Sequence, residues 1–287
     1  MILVTGATGK LGRLVVEKLL TRVPASQVIA GVRSPEKAKD LAARGVQVRP
    51  LDYGKPESID AALRGVDKLL LVSSSELGKR FTQHEAVIAA AKRTGVGFVA
   101  YTSVLHADRS RLGLAAEHLA TEKALRASGI PFVLLRNGWY IENYAENLAG
   151  ALHAGVLLGS AGTGKVAPAA RADLAEAAAV VLTSPGHEGR AYELAGDRAY
   201  TLPELAAEVT RASGKPVAYQ DLPQAEYQAT LEKFGVPGPF AALLADSDVG
   251  IARGDLDDAS GDLRRLIGRP TTPLPDVFAA AVGASRG

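Results

Sequence analysis

Glycines fall at positions 6, 9 and 12 of the opening stretch Met1-Ile-Leu-Val-Thr-Gly-Ala-Thr-Gly-Lys-Leu-Gly12. A glycine turn lets the backbone approach a phosphate, and a helix that starts there offers N–H groups and the positive end of its dipole. Holding a dinucleotide pyrophosphate is the chemistry this spacing suits. The G-x-x-G-x-x-G pattern says little by itself and gains meaning from an apolar strand before it and a helical pattern after it. A second charged position is Arg33, at the end of the apolar run Val28-Ile-Ala-Gly-Val32. An acidic residue there would favour NAD, whereas arginine suits the 2′-phosphate of NADP. One charge-assisted hydrogen bond is worth roughly 1.5–3 kcal/mol, or about 10- to 150-fold preference for NADPH.

These residues need elements that bring them together. Ile2–Val4, Val28–Val32, Val46–Arg49, Lys68–Val72, Phe98–Tyr101 and Pro131–Leu135 read as short buried strands, and helical patterns alternate with them. The alternation predicts an α/β fold, a Rossmann doubly wound parallel sheet covered on both faces, with a smaller, mainly helical C-terminal substrate region. Such sheets bind ligands beyond the carboxyl ends of their strands. The polar residues follow strand ends: the glycine turn, Arg33, Asp52, Ser73–Ser75, Thr102-Ser103 and Asn137. Ala191–Leu194 reads as a further strand of the same sheet, and Thr201-Leu-Pro-Glu204 as a capping box. The expected organisation is a dinucleotide-binding domain of residues 1–137 and 171–197, with 138–170 and 198–287 forming the substrate-binding region.

Composition removes several classes. The 287 residues contain no cysteine, which excludes disulfides and zinc–sulfur sites and suits the cytoplasm. A net charge of +2 with dispersed Lys and Arg gives no nucleic-acid surface, and no apolar run approaches a membrane span. The five histidines lack zinc-helix spacing, so no metal is expected. Gly159-Ser-Ala-Gly-Thr-Gly-Lys165 nearly spells a P-loop, but Val166 stands where a magnesium-ligating Ser or Thr is required. It reads as a glycine-rich turn.

Gly6-Ala-Thr-Gly-Lys-Leu-Gly12, Arg33 and Pro131-Phe-Val-Leu-Leu-Arg-Asn-Gly-Trp-Tyr-Ile-Glu-Asn143 together resemble the NmrA-like group of atypical short-chain dehydrogenases. Within it the chain resembles the bacterial NAD(P)H:quinone oxidoreductases of type 2. Ser73–Ser75, Ala100–Ser103, Leu105–Asp108, Arg171–Asp173, Tyr192–Gly196 and Ala245-Asp-Ser-Asp-Val249 extend the likeness over nearly the whole chain. The resemblance implies an enzyme that uses NADPH, without flavin or metal, to reduce a small quinone. It places Gly6, Ala7, Thr8, Gly9, Lys10 and Leu11 on the pyrophosphate, and Ser73, Ser74 and Ser75 along the nicotinamide half. Asn137, Gly138, Trp139, Tyr140, Ile141 and Glu142 would border the nicotinamide, with Arg171 in the same cleft. Trp139, Tyr140 and Tyr144 would offer flat surface to the quinone.

One departure qualifies the resemblance. No tyrosine here has a lysine four residues later, so the Tyr-x-x-x-Lys pair of ordinary short-chain dehydrogenases is missing. Registering the neighbouring lysine of extended members on Lys123 puts His118 at the lysine position and Leu114 at the tyrosine position. His118 and Lys123 are then the catalytic candidates, each equally readable as a helix-surface residue. A quinone accepts hydride without a strong dedicated acid, because aromatisation drives the step. Two rivals stay open: an NADPH reductase of another acceptor, and an NADP(H)-sensing regulator without turnover. A homodimer stays open as well.

Overall fold

The computed structural model describes residues 1–284. The first half of the chain alternates strands and helices: β1 (Ile2–Val4), α1 (Lys10–Leu19), β2 (Val28–Val32), α2 (Lys39–Ala43), β3 (Gln47–Pro50), α3 (Pro56–Leu63), β4 (Lys68–Leu71), α4 (Arg80–Thr94), β5 (Phe98–Val104), α5 (Ala115–Ser128) and β6 (Phe132–Asn137). There follow α6 (Ile141–Ala145), α7 (Leu148–Ala154), β7 (Val156–Gly159), β8 (Lys165–Val166), α8 (Arg171–Thr183), β9 (Ala191–Leu194), β10 (Tyr200–Thr201) and α9 (Leu202–Ser213). The chain ends with β11 (Ala218–Asp221), α10 (Gln224–Lys233), α11 (Gly238–Ala252), α12 (Asp262–Ile267) and α13 (Leu274–Ala284).

Seven strands form one sheet in the order β3-β2-β1-β4-β5-β6-β9. The pairs from β3 to β6 are parallel, and β9 lies beside β6, where the Leu134 N–H donates to the Arg190 carbonyl at 2.9 Å. This is a Rossmann-like α/β fold. Its strand order reverses between β1 and β4, the position at which such sheets take ligands. β2 and β5 are buried along their whole length, as strands covered on both faces must be. The core beneath α3, α4 and α5 gathers Leu3, Ile29, Leu69, Val99 and Leu134 with Leu63, Val87 and Leu125.

The chain divides into two compact units. The first comprises residues 1–107, 116–137 and 171–192, and the second 108–115, 138–170 and 193–287. Segments 108–115 and 193–197, assigned to the dinucleotide domain from the sequence, thus belong to the second unit, and β9 crosses the division. The second unit is mainly helical but also holds two small sheets, parallel β7–β11 and antiparallel β8–β10. Their two- to four-residue strands are too short to leave a periodic pattern. Thr201 caps α9 with the full capping box that its sequence predicts. On α4, Phe81 is only half-buried; the inward face runs through Arg80, His84, Val87, Ile88 and Ala91 at helical spacing. Among the described residues, no helix is long and apolar enough to cross a membrane.

The turn between β1 and α1 depends on two glycines. Gly6 sits at φ +57°, in the left-handed region that favours glycine. A Cβ on Gly12 would lie 2.3 Å from the Gly6 carbonyl oxygen, so the helix packs on its own entry turn only because that position has no side chain. Backbone on both sides leaves nothing to give way. Gly12→Ala should therefore destabilise the fold by about 1–3 kcal/mol, as overpacking does. A lowered denaturant midpoint at unchanged slope is the expected result; an unchanged midpoint would show that the turn tolerates a methyl group.

Candidate active site

In the first unit, α1 begins at the carboxyl end of β1 with no side-chain cap and no acidic residue in its first turn. Gly9 closes the turn through its N–H to the Gly6 carbonyl at 2.8 Å, and the Ala7 N–H bonds the Gly31 carbonyl at 3.2 Å. Ala7 and Leu11 point into the core, while Gly6, Thr8, Gly9 and Lys10 are exposed. An uncapped helix start beside a glycine turn whose space a Cβ would fill fits a dinucleotide pyrophosphate. Arg33 follows β2 with its side chain 72% exposed, 3.8 Å from Glu76. A pair this exposed holds the guanidinium weakly, which leaves it available to a 2′-phosphate.

Ser73–Ser75 follow β4 and are pinned from behind. The Ser73 N–H donates to Thr102 Oγ1 at 2.8 Å, and the Ser74 N–H to His84 Nε2 at 2.9 Å. Arg80 Nε donates to the Ser74 carbonyl at 2.7 Å. Because Nε2 of His84 accepts, its proton must be on Nδ1, which contacts Thr121 Oγ1 at 3.0 Å. Burial, reinforced by the Arg80 charge, holds this imidazole down to about 3. His118 is likewise buried and held well below its ordinary value, by burial first and then by Arg80 and His84.

The two catalytic candidates are not brought together. Lys123 is exposed on α5, whereas His118 is 5% exposed and its Nδ1 lies 2.7 Å from the Tyr101 hydroxyl. A phenol does therefore meet His118, but it comes from β5 rather than from the turn just before α5, where the family register places Leu114. Tyr101 is fully buried. Burial raises its pKa and keeps it a donor. The neighbouring Glu122, also fully buried, accepts from Ser103 Oγ at 2.7 Å and from Arg136 Nε and Nη2 at 2.9 and 2.8 Å. Tyr101 and Arg136 lie within stretches that carry the family resemblance, but nothing in those stretches pairs them with His118 or Glu122. Their partners are visible only once β5, β6 and α5 are packed together.

Asn137 ends β6 with its carbonyl taken by the Leu105 N–H at 3.0 Å, and Arg171 opens α8 as a buried residue. In the second unit, the Gly138 N–H donates to the Leu194 carbonyl at 2.8 Å, and the Trp139 carbonyl accepts the Ala169 N–H at 2.9 Å. Trp139, Tyr140 and Glu142 are half-buried, while Ile141 is buried. Tyr144, on the same short α6, is half-buried, with its hydroxyl oxygen sealed.

The P-loop-like turn also lies in the second unit, and its amides are already used. The N–H groups of Ser160, Ala161 and Gly162 donate to Asp248 Oδ2, the Tyr219 hydroxyl and Asp221 Oδ1 at 2.8, 3.2 and 2.8 Å. Two acidic side chains stand where phosphates would be, and β8 rather than a helix follows. Among the described residues no group of three or more His, Asp or Glu could hold a metal ion.

The family of NAD(P)H-binding proteins matches residues 6–185. Quinone oxidoreductase 2 of Escherichia coli K12 is 57% identical over 276 residues, 96% of each chain. The chain belongs to the NAD(P)H-binding NmrA-like family. The crystal structure of the E. coli NADPH-dependent quinone oxidoreductase QOR2 with NADPH superposes with a TM-score of 0.95 at 55% identity, covering 100% of both chains. The triphenylmethane reductase of Citrobacter sp., solved with NADP(H), gives a TM-score of 0.94 at 43% identity over 98% of this chain and 100% of that one. The turn after β1 and Ser73–Ser75 both lie within the residues that this family matches.

The buried imidazoles set an acid limit. Free histidine takes up a proton near 6.5, whereas folded His84 does so only near 3. Between these values the unfolded chain binds more protons, so stability is full above about pH 6.5 and is lost as pH falls toward 3. Each such residue contributes a slope of roughly 1 kcal/mol per pH unit. Denaturant titrations at several pH values should show this slope, and His84→Gln should reduce it; a variant as steep as the parent would remove His84 as a cause.

Proposed function

We propose that this protein is an NADPH-dependent quinone reductase that transfers hydride directly from the nicotinamide to a small quinone, without flavin. The observation that carries this reading is the 57% identity to E. coli quinone oxidoreductase 2 along 96% of both chains. The geometry agrees with it. The Gly6–Leu11 turn and the α1 N-terminus would hold the pyrophosphate, and Arg33 the 2′-phosphate. Within the first unit, Ser73, Ser74 and Ser75, held by Thr102, His84 and Arg80, would line the nicotinamide half together with Asn137 and Arg171. NADPH supplies the hydride when bound; the chain's own residues position it and exclude water. Trp139, Tyr140 and Tyr144 would form the quinone's surface.

Proton supply fits a quinone better than an alcohol or ketone. His118 and Tyr101 are buried and bonded to each other, so the residue at the family's lysine position is enclosed in the core. Lys123 is left to solvent. Neither is then a strong acid for a carbonyl substrate, and a quinone needs none. The likeness to triphenylmethane reductase favours one second reading, reduction of cationic dyes by the same hydride.

Purified protein mixed with NADPH and 1,4-benzoquinone should consume NADPH faster than the protein-free blank. Arg33→Ala should cut apparent NADPH affinity about 10- to 150-fold while changing NADH use little. No acceleration with several quinones would overturn the reductase reading and favour a sensor. Trp139 is the single tryptophan, so its emission should be quenched strongly by NADPH; an unchanged spectrum would take it out of the nicotinamide's surroundings.

A further inference from the structure

The Ala245-Asp-Ser-Asp-Val249 segment has no role in the reading above. It forms the middle of α11, where Asp248 is 7% exposed. Its Oδ2 accepts the Ser160 N–H at 2.8 Å, and no other described residue donates a hydrogen bond to it. Three phenols from other elements lie within its field: Tyr144 of α6, Tyr219 of β11 and Tyr227 of α10. Burial raises the pKa of each, and the Asp248 charge raises it further. Tyr219 is satisfied, donating to Asp221 Oδ1 at 2.6 Å and accepting the Ala161 N–H at 3.2 Å. Tyr144 differs. Its hydroxyl oxygen is shut off from solvent and has no hydrogen-bond partner among the described residues.

A sealed hydroxyl without a partner destabilises a fold, and phenylalanine would fill the same space without that penalty. A buried carboxylate with one hydrogen bond is similarly unfavourable, and such groups respond by holding their proton. Here burial and the nearby Asp221 charge push Asp248 up to about 7, against the Ser160 hydrogen bond. Near neutrality, a sealed phenol O–H and a buried carboxyl O–H thus lie within electrostatic reach of each other. Their complement is a flat ligand that accepts hydrogen bonds and donates none. A phosphate is the wrong partner, because Asp221 and ionised Asp248 would repel it. The carbonyl oxygens of a quinone fit.

We propose that the Tyr144 hydroxyl and the Asp248 carboxyl are the hydrogen-bond donors that receive a carbonyl oxygen of the electron acceptor. This rests on the quinone reading, and extends it from flat stacking surface to two named donors in the second unit. Protonated Asp248 donates; ionised, it repels the carbonyl, so acceptor affinity falls as pH rises through about 7. Burial, the Ser160 N–H and the Asp221 charge set this value, and the Asp248 charge in turn acts on Tyr144 of α6, Tyr219 of β11 and Tyr227 of α10. On its own helix, Asp246 is engaged by the Gly113 N–H at 2.7 Å.

Binding can be read without turnover by titrating tetramethyl-1,4-benzoquinone into the NADP⁺-loaded full chain in a calorimeter. Tyr144→Phe should bind it about ten-fold more weakly, the loss of one hydrogen bond, with NADP⁺ affinity unchanged and Tm unchanged or raised. Asp248→Asn keeps an acceptor for Ser160 and a donor at every pH, so its binding should be flat where the parent's falls. Equal affinity for Tyr144→Phe and parent, a pH slope retained in Asp248→Asn, or no binding by the parent would each overturn the proposal. NADPH consumption measured in parallel separates the two readings. Turnover by the parent with unaltered Tyr144→Phe binding rejects these donors and leaves the reductase. Absence of turnover with every quinone rejects the reductase and this assignment with it.

Discussion

The contact between Gly12 and the Gly6 carbonyl governs the geometry of the nucleotide-binding half. It lets α1 start directly above the end of β1, so that the helix dipole and the first amides converge on the place where strand order reverses. A side chain at position 12 would tilt the helix away, and the amides would no longer meet one phosphate. Sheet order and helix start are thus linked through one backbone-to-backbone approach. The apolar face of α1, with Leu11, Val15, Val16 and Leu19 buried, then holds the helix at that distance. Hydrophobic burial supplies the force; the missing Cβ sets where the helix stops.

The polar core serves the same end by other means. Thr102, His84 and Arg80 fix the backbone of Ser73 and Ser74 from beneath, and Glu122 joins β5, β6 and α5 through Ser103 and Arg136. Buried ion pairs add little net stability, because desolvation offsets attraction. Their contribution here is geometric: the loop after β4 has its rear hydrogen bonds assigned, so its front is presented in one conformation. Neutral imidazoles suit this role, since each accepts on one ring nitrogen and donates on the other.

Most of the sheet was legible because β1, β2, β4, β5 and β6 are largely runs of buried apolar residues, which depend on local sequence alone. Val28–Val32 matches β2 residue for residue, and Ala191–Leu194 joins the sheet as its composition suggests. The places of the glycine turn between β1 and α1 and of Arg33 just after β2 were legible for the same reason, each being set by its near neighbours in sequence. What escaped was long-range. Tyr101 reaches His118 from another element, so counting back along the chain from Lys123 could only return Leu114. Asp248 and Tyr144 are a hundred residues apart in the chain, and nothing in either neighbourhood names the other. Segment 108–115 looked like part of a strand-to-helix connection, yet it packs in the second unit through contacts such as Gly113 to Asp246.

The turn at Ser160–Gly162 has a further consequence for selectivity. Successive free amides at a glycine-rich turn make an attractive berth for an anion, and a cell is rich in phosphates. By seating Asp248, Tyr219 and Asp221 on those amides, the protein supplies its own occupants. A stray nucleotide arriving there finds the berth filled and the surroundings acidic. Discrimination between two glycine-rich turns in one chain is thus achieved by pre-emption: one is left without a cap, and the other is closed from within by the molecule itself.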